Sequence, residues 1–416
     1  MSIEFWWSLI VGGLLVLGCG APQPPGGTGG TKVPPGTCGR GIIVVASDYQ
    51  STNVSLIDID GNILSSSLIS SASATTMLSE PLSGDVVAST MPAQDGRIAL
   101  IDRYPAGVLT WVDVRSGAVA GQLRAATTFS SNPQDYAEIS PHKGYVTRLD
   151  PNVSPGTEPF GGGSDILVID PQGPAVLGRI DLQSAIAGED SNLYPRPNRI
   201  LLANGHAVVL LSAYSLDFTK SASSRIVTID TAKDMIVGTT VLVGMHGCLG
   251  LAKSPSGERI SVSCTGTFQG DSTSKLDEAG VVVLARKGEG FVEESRWPAV
   301  KLGLGAPGFS LDFASEGSVV LTTFGREASG PVAAIDDTFI TINLASSQIV
   351  RLLQSAPFTL GEVRCAPACG ACFVTDAKTQ GGVVHRFEVN ADVLEHDMLI
   401  RTDTAIGLPP RSLGLF

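Results

Sequence analysis

One phrase recurs along most of this chain, and the repeat restricts its fold more than any other feature. Each copy holds an aliphatic or β-branched run, a polar residue, a short turn and a second aliphatic run, a pattern typical of a β-hairpin. The residues before the turn are, in chain order, Asp58, Asp113, Asp170, Asp230, Ala285, Asn343 and Glu388. Their spacings of 45 to 60 residues leave room for a second hairpin in every repeat.

A second hairpin precedes several copies of the phrase. Its turns are rich in Ser, Pro and Gly, as in Ser254–Gly257 and Ser315–Gly317, and each is followed by a Val-rich strand. Four strands in each of seven repeats predict an all-β fold, a seven-bladed β-propeller of four-stranded antiparallel blades. A six-bladed propeller or an irregular array of β-sandwiches is the alternative.

The repeated phrase resembles the YVTN-type and NHL-like propeller repeats of bacterial surface proteins. The resemblance covers residues 40–416 and rests on the Ser-Pro-x-Gly turn before a strand and the Ile-Asp turn after the next. It implies the propeller fold and no particular substrate.

The two ends of the repeat region predict how the ring closes. Leu408–Phe416 resembles the first strand of a blade, such as Ala306–Phe313, whereas Gly41–Ala46 has no such strand before it. We therefore expect the C-terminal strand to join the first blade, since an open ring would leave two unpaired strand edges. The predicted propeller domain spans residues 38–416.

The N-terminus has the pattern of an export signal. Phe5–Gly18 is an uncharged apolar run of 14 residues, shorter than the roughly 20 that a membrane-spanning helix needs. It ends in Val-Leu-Gly before Cys19, and this resembles the lipobox of bacterial lipoproteins. The resemblance implies a signal peptide over residues 1–18 and a lipid on Cys19, although Glu4 stands where such signals usually carry Lys or Arg.

Residues 19–37 predict a tether between this anchor and the propeller. The segment after Cys19 holds five Pro and six Gly, a composition that forms no core. Gly20 follows the lipidated cysteine, and by the sorting rule for such lipoproteins this indicates the outer membrane. We expect a membrane-anchored protein facing the periplasm or the cell surface.

The other cysteines predict disulfide bonds, as is usual in exported proteins. Without Cys19, six of the seven cysteines remain. Cys248 and Cys264 lie symmetrically about one turn, and Cys365 and Cys372 lie symmetrically about another. Each pair is therefore expected to bridge adjacent strands.

Cys38 and Cys369 remain, at equivalent turns of the first and last blades. A bond between them would fasten the closed ring. Cys365, Cys369 and Cys372 also have the spacing of the cluster-binding motif of radical SAM enzymes. Only 44 residues follow Cys372, too few for the barrel of that family, so we prefer disulfides to a cluster or a zinc ion.

Charge and missing motifs exclude several classes of function. The chain carries 28 Lys and Arg against 40 Asp and Glu, a net charge of −12, so no basic face for nucleic acid is expected. No nucleophile elbow, P-loop or repeated tryptophan-docking motif occurs, and we predict no resident cofactor. We expect a monomer.

Loop lengths indicate where a functional surface would lie. The long connections are 150–165, 215–224, 266–279 and 326–338 within blades, with 125–135 and 183–198 between blades; all should share one face. This rim is acidic, and Ca²⁺ or a cationic partner is a possible ligand. Its acidic residues are Glu158, Asp165, Glu189, Asp190, Asp217, Asp271, Asp277, Glu278, Glu327, Asp336 and Asp337.

Four arginines at or just before innermost strands are predicted to line the channel mouth and to receive an anionic ligand, and Asp336 and Asp337 are further ligand-binding candidates. These arginines are Arg196, Arg199, Arg364 and Arg411. The favoured function is a binding or scaffold module that holds a protein or small ligand on the long-loop face. The alternative is a metal-dependent lactonase or hydrolase with its site in the central channel, for which the candidates are Glu138, Asn198, Asp312 and Glu362. A third reading is an assembly factor similar to the eight-bladed lipoprotein of the barrel-insertion machine.

Overall fold

Strands make up almost all of the regular structure in the described residues. The computed structural model describes residues 41–75, 77–94, 96–267, 275–302, 305–378, 382–402 and 405–416. The first fifteen strands are β1 Gly41–Ser47, β2 Thr52–Asp58, β3 Ile63–Ser70, β4 Val86–Ala88, β5 Arg97–Asp102, β6 Val108–Asp113, β7 Val119–Arg124, β8 Pro133–Ser140, β9 Lys143–Pro151, β10 Gly163–Asp170, β11 Ala175–Ile180, β12 Leu193–Tyr194, β13 Pro197–Ala203, β14 His206–Leu211 and β15 Tyr214–Ser215.

The remaining strands are β16 Arg225–Asp230, β17 Met235–Val241, β18 Cys248–Lys253, β19 Arg259–Cys264, β20 Gly280–Lys287, β21 Gly290–Pro298, β22 Pro307–Phe313, β23 Ser318–Thr323, β24 Asp337–Asn343, β25 Ile349–Ser355, β26 Leu360–Ala366, β27 Ala371–Asp376, β28 Val383–Asn390, β29 Val393–Ile400 and β30 Pro410–Leu415. The helical segments are α1 Ala299–Leu302 and the 3-10 turns Gln183–Ile186 and Pro367–Cys369.

Seven four-stranded antiparallel sheets form the blades of a β-propeller, as the repeat predicted. From the innermost strand outward they are β30-β1-β2-β3, β4-β5-β6-β7, β8-β9-β10-β11, β13-β14-β16-β17, β18-β19-β20-β21, β22-β23-β24-β25 and β26-β27-β28-β29, named here blades 1 to 7. β12 and β15 form a separate two-stranded sheet. First strands of neighbouring blades contact one another from blade 3 round to blade 2, and β8 of blade 3 contacts β5 of blade 2. The first strands therefore surround the central channel.

The C-terminal strand closes the ring. β30 pairs antiparallel with β1, with Val44 opposite Leu413, and the Gly41 and Phe416 backbones exchange two hydrogen bonds of 3.0 Å. The first blade is therefore built from both ends of the repeat region. This pairing is the closure that the sequence predicted.

Apolar side chains between neighbouring blades form the core. Trp111 of blade 2 packs edge-on against Tyr136 of blade 3, with ring centroids 5.7 Å apart. Val283 of blade 5 and Leu321 of blade 6 belong to one fully buried cluster. Each such side chain contributes roughly 1.5–3 kcal/mol by leaving water, so every blade depends on its two neighbours.

Aspartate side chains cap four of the repeated hairpin turns, at Asp58, Asp113, Asp170 and Asp230. The Asp113 carboxylate accepts hydrogen bonds from the backbone N–H groups of Arg115 and Ser116, at 3.0 and 2.8 Å. Asn343 accepts the equivalent pair from Ala345 and Ser346. Side chains of this kind satisfy backbone donors that the turn leaves unpaired.

Two predicted disulfides are present. Cys248 is bonded to Cys264 across β18 and β19, and Cys365 to Cys372 across β26 and β27. Cys369 is also disulfide-bonded. Its predicted partner Cys38, like the predicted lipidation site Cys19, lies outside the described residues, so that pairing remains a prediction.

Strand alternation divides the connections between two faces of the propeller. The connections between second and third strands and those between blades lie on one face, called here the long-loop face. The opposite face, called the tight-turn face, carries the other hairpin turns. No helix in the described ranges is long and apolar enough to cross a membrane.

Candidate functional site

Glu362, the third residue of β26, is the centre of the charged network in the channel. Its Oε1 accepts hydrogen bonds from Arg364 Nη2 at 2.5 Å and from Arg199 Nη2 at 3.4 Å. Its Oε2 accepts from Ser412 Oγ at 2.6 Å and from the Leu413 backbone N–H at 3.2 Å. Burial alone would raise the pKa of Glu362, but the two arginines and these donors lower it below its ordinary value.

The Arg199–Glu362 pair crosses the channel. Arg199 lies on β13 of blade 4 and Glu362 on β26 of blade 7, three blades away along the ring. Arg199 Nε also donates to the Leu249 carbonyl of blade 5 at 3.3 Å. Blades 4 and 7, which are not neighbours in the ring, are therefore linked through side chains near the propeller axis.

Other carboxylates near the axis join neighbouring blades through backbone donors. Asp135 of blade 3 accepts from the Thr90 N–H of blade 2 at 2.8 Å and from the Ile200 N–H of blade 4 at 3.0 Å. Asp312 of blade 6 accepts from the Cys365 N–H of blade 7 at 2.8 Å. Burial raises the pKa of both carboxyls, that of Asp312 to about 6.

The four channel candidates taken from the sequence lie in different environments. Asp312 and Glu362 are on adjacent blades, and Arg364 influences the pKa of both. Glu138 instead forms an ion pair of 2.9 Å with Arg97. Asn198 is buried, and its carbonyl accepts from Thr147 Oγ1 at 3.1 Å.

Two of the four predicted arginines brace loops. Arg196 is fully buried; it pairs with Asp150 and donates to the Ser215 and Leu216 carbonyls at 3.0 Å. Its guanidinium lies 4.3 Å from the centre of the Phe218 ring. Arg196 therefore holds the two-stranded β12–β15 sheet in place, and its guanidinium lies against the exposed Phe218 ring.

Arg411 has a similar position in blade 1. Its Nε donates to the Ser47 carbonyl at 2.9 Å, and its guanidinium lies 4.3 Å from the centre of the Tyr49 ring. Arg199 and Arg364 thus meet at Glu362, whereas Arg196 and Arg411 each support an aromatic side chain on the long-loop face.

The two predicted aspartates differ in burial. Asp337 is fully buried, and its carboxylate accepts backbone N–H bonds from Gly325, Phe358, Thr359 and Leu360. Burial raises its pKa even though these donors lower it. Asp336 beside it is exposed, so only Asp336 presents a carboxylate to solvent.

Most acidic residues of the predicted rim have partners. Asp165 pairs with Arg148 at 2.7 Å and Asp190 with Lys220 at 3.2 Å, and Glu158 accepts the Thr127 and Thr128 N–H groups. The remaining partnered members are Glu189 with Arg225, Glu278 with Lys275, and Asp217 with Thr219. Asp271 lies outside the described residues. In the described part of the chain, no group of three or more His, Cys, Asp or Glu could hold a metal ion.

Exposed aromatic side chains are confined to the long-loop face in the described residues. Between 40% and 65% of each side chain is exposed. They are Tyr49, Tyr104, Phe160, Phe218, Phe309 and Phe358. Phe324 joins two of them into one patch, with its ring centroid 4.8 Å from that of Phe309 and 6.2 Å from that of Phe358. No sequence pattern indicates this set, because each member is a single aromatic residue and only the fold brings them to one surface.

Comparison with known proteins supports the fold alone. No family model and no curated protein matches the sequence. Among solved structures, a candidate 6-phosphogluconolactonase from Bacteroides fragilis is 9% identical, with a TM-score of 0.54 over 91% of this chain and 98% of that one. The β-propeller domain of Cps50 from Myceliophteria thermophila is 10% identical, with a TM-score of 0.54 over 83% and 96% of the two chains. A lactonase candidate and a domain of a different kind match equally well, so the similarity does not select a function.

Proposed function

We propose that this protein is a membrane-anchored extracytoplasmic β-propeller that binds a protein or ligand through its long-loop face. The confinement of the exposed aromatic side chains to that face carries the proposal. Large aromatic residues are enriched at the energetic centres of interfaces, because they bury much area at a low entropic cost.

The rings are also held in position, which favours recognition over random exposure. Arg411 lies under Tyr49, and Arg196 under Phe218. A ring that is already ordered loses less conformational entropy when a partner covers it. Arg196 and Arg411, which were predicted to line the channel mouth, therefore support the binding surface indirectly.

The channel favours structural roles for its carboxylates over the alternative hydrolase. A catalytic metal would need several of them as ligands, yet Glu362 already accepts four hydrogen bonds and Asp135 joins three blades. Releasing these groups would leave unpaired donors in the interior, each costing about 1–3 kcal/mol. The long-loop face is the less costly place for a ligand.

The proposed location combines the lipobox at Cys19, the Pro- and Gly-rich tether and the disulfides. Disulfides persist in oxidising compartments, and two are present in the propeller. We place the propeller on the outer membrane, facing the periplasm or the cell surface, with the tether holding it off the bilayer.

Site-specific photo-cross-linking in intact producing cells tests the binding face. p-Benzoylphenylalanine replaces Phe358 or Tyr104 on the long-loop face, and Ala345 or Arg115 on the tight-turn face as matched exposed controls. We expect one product of common mass from the first two positions and none from the controls. The substitution Phe309→Ala should lower its yield at Phe358. Equal yields from both faces, or no product from either, would overturn the proposal.

A further inference from the structure

Two histidines of blade 7 place ring nitrogens side by side. His385 on β28 and His396 on β29 have their Nδ1 and Nε2 atoms 3.1 Å apart. A register shift after Arg386 sets His396 opposite Phe387, so the two histidines are diagonal neighbours on one face of the hairpin. They are 11 residues apart in sequence, a spacing with no metal-site signature, and only the bulged register brings them together.

A buried carboxylate sets the orientation of the first histidine. His385 is buried, and its Nε2 lies 3.3 Å from Oδ2 of the fully buried Asp376. Asp376 also accepts from Ser355 Oγ and forms an ion pair of 3.0 Å with Lys378. An ionised carboxylate only accepts hydrogen bonds, so Nε2 of neutral His385 carries its hydrogen and Nδ1 presents a lone pair toward His396. Metal-binding histidines commonly have this carboxylate support.

The separation of the two nitrogens suits a shared ion. Imidazole nitrogens bind Zn²⁺ at about 2.0–2.1 Å, so two of them bound at angles of about 90–110° lie about 3 Å from each other. His396 is exposed, which leaves room for water or an external ligand to complete the coordination. Asp397 is held by Arg386, so the protein offers the two histidines as its ligands.

We propose that His385 Nδ1 and His396 Nε2 form a two-histidine site for a divalent transition-metal ion of the group Cu²⁺, Ni²⁺ and Zn²⁺. Imidazole ligands favour these ions over Ca²⁺ and Mg²⁺. On binding, the Nε2 hydrogen of His396 passes to water and Nδ1 takes one up, so the ring stays neutral. Both rings would bind the ion as neutral imidazoles, because a metal ligand must be deprotonated at the coordinating nitrogen.

This site shares no residue with the exposed aromatic set of the long-loop face or with the channel network around Glu362. It lies on the two outer strands of blade 7, whereas Glu362 and Asp312 belong to innermost strands. It therefore does not depend on the identity of any partner on the long-loop face, and it is independent of the Ca²⁺ expected from the acidic rim.

Metal titration of the full chain, stripped with chelator, tests the site. Cu²⁺ is followed by electron paramagnetic resonance and Zn²⁺ by competition with a chromophoric chelator. We expect one equivalent of Cu²⁺ with superhyperfine splitting from two imidazole nitrogens. His396→Gln should leave one nitrogen and weaken Zn²⁺ binding at least tenfold, and Asp376→Asn should weaken it about 10–100-fold through the orientation of His385.

His142→Gln is the matched control, because His142 is exposed on blade 3. This variant should bind as the unsubstituted chain does. Thermal melting should show that His396→Gln folds normally, which is expected because the side chain is at the surface. Unchanged binding in His396→Gln, or a copper spectrum identical in that variant and the unsubstituted chain, would overturn the proposal.

Discussion

Two carboxylates on adjacent innermost strands differ in proton affinity, and their contacts explain why. Glu362 touches two guanidinium groups, which lower its pKa in spite of burial. Asp312 accepts backbone N–H bonds from Phe313 and Cys365. Burial raises the pKa of Asp312 to about 6, and the nearby Glu362 charge adds to the rise. The channel can therefore hold one ionised and one protonatable carboxyl close together.

The first prediction is that Asp312 makes stability fall as the pH rises from about 4 to about 6. The folded state keeps the Asp312 proton in this range and the unfolded state does not, since the pKa rises from its ordinary value of 3.8 to about 6 on folding. Stability therefore decreases with pH by on the order of 2 kcal/mol and is constant above this range. Urea unfolding at pH 4.5 and 7.5 should show this loss, and Asp312→Asn should reduce it.

The control is Asp60→Asn, because Asp60 is an exposed residue of a tight turn. Its pH profile should follow that of the unsubstituted protein. If Asp312→Asn and the unsubstituted protein have parallel profiles, the carboxyl is ionised throughout and the buried-acid account of the channel is wrong.

Local residue patterns predicted local contacts and missed distant ones. Asp113 and its equivalents could be assigned to turns because their hydrogen-bond partners are two or three residues away. Arg199 and Arg364 were placed near the channel from the start of a strand. Their common partner Glu362 could not be predicted. Arg199 lies three blades away from Glu362 along the ring, and no sequence pattern indicates that the two side chains are in contact.

At the scale of the element, each disulfide closes one hairpin. Cys248 and Cys264 are directly paired in the register of β18 and β19, and Cys365 and Cys372 are paired in that of β26 and β27. A cross-link of this kind mainly restricts the unfolded chain, and its effect grows slowly with loop length.

The second prediction concerns removal of the blade 5 disulfide. The double variant Cys248→Ala/Cys264→Ala should lose about 3 kcal/mol of unfolding free energy, for a sequence separation of 16. The matched variant Cys365→Ala/Cys372→Ala, with a separation of 7, should lose slightly less. Urea denaturation of the oxidised proteins measures both.

Repeating the denaturation with reductant separates the cross-link from packing. The unsubstituted protein then lacks its disulfides, so its difference from each variant should shrink to the effect of the lost sulfur atoms in the core. A difference that persists at full size would mean that packing, and not the cross-link, carries the stabilisation.

Element pairing was predictable where a turn is symmetric. Cys248 and Cys264 lie symmetrically about the Ser254–Gly257 turn, so a regular hairpin must bring them together. His385 and His396 lie on a hairpin with a bulge, and the extra residue changes which side chains are neighbours. A bulge has no clear sequence signal here, and this explains why the pair was missed.

At the scale of the whole molecule, closure of the propeller brings residues from distant repeats onto one surface. The repeat predicted seven blades because the pattern recurs along the chain although individual residues differ between its copies. The set of exposed aromatic residues on the long-loop face could not be predicted. Tyr49 and Phe358, for example, are separated by most of the chain and lie on the same face only in the closed propeller.

The third prediction is that β30 completes blade 1 and that the fold depends on it. Leu413 is fully buried in a cluster shared by blades 1 and 7, and Ser412 Oγ donates to the channel carboxylate Glu362. A chain truncated after Pro409 loses both contacts and exposes the edge of β1. We expect it to lose its cooperative thermal transition and to aggregate through that edge.

A peptide of residues 408–416, added during refolding of the truncated chain, should restore the transition by supplying the missing strand. The same peptide with Leu413→Asp should fail, because burial of an unpaired carboxylate opposes docking. If the truncated chain melts like the full one, the contacts between the other blades are sufficient for folding, and closure of the ring is not required. Rescue by the first peptide alone would mean that the long-loop face, the channel network and the inter-blade core all depend on a strand pairing made by the two ends of the repeat region.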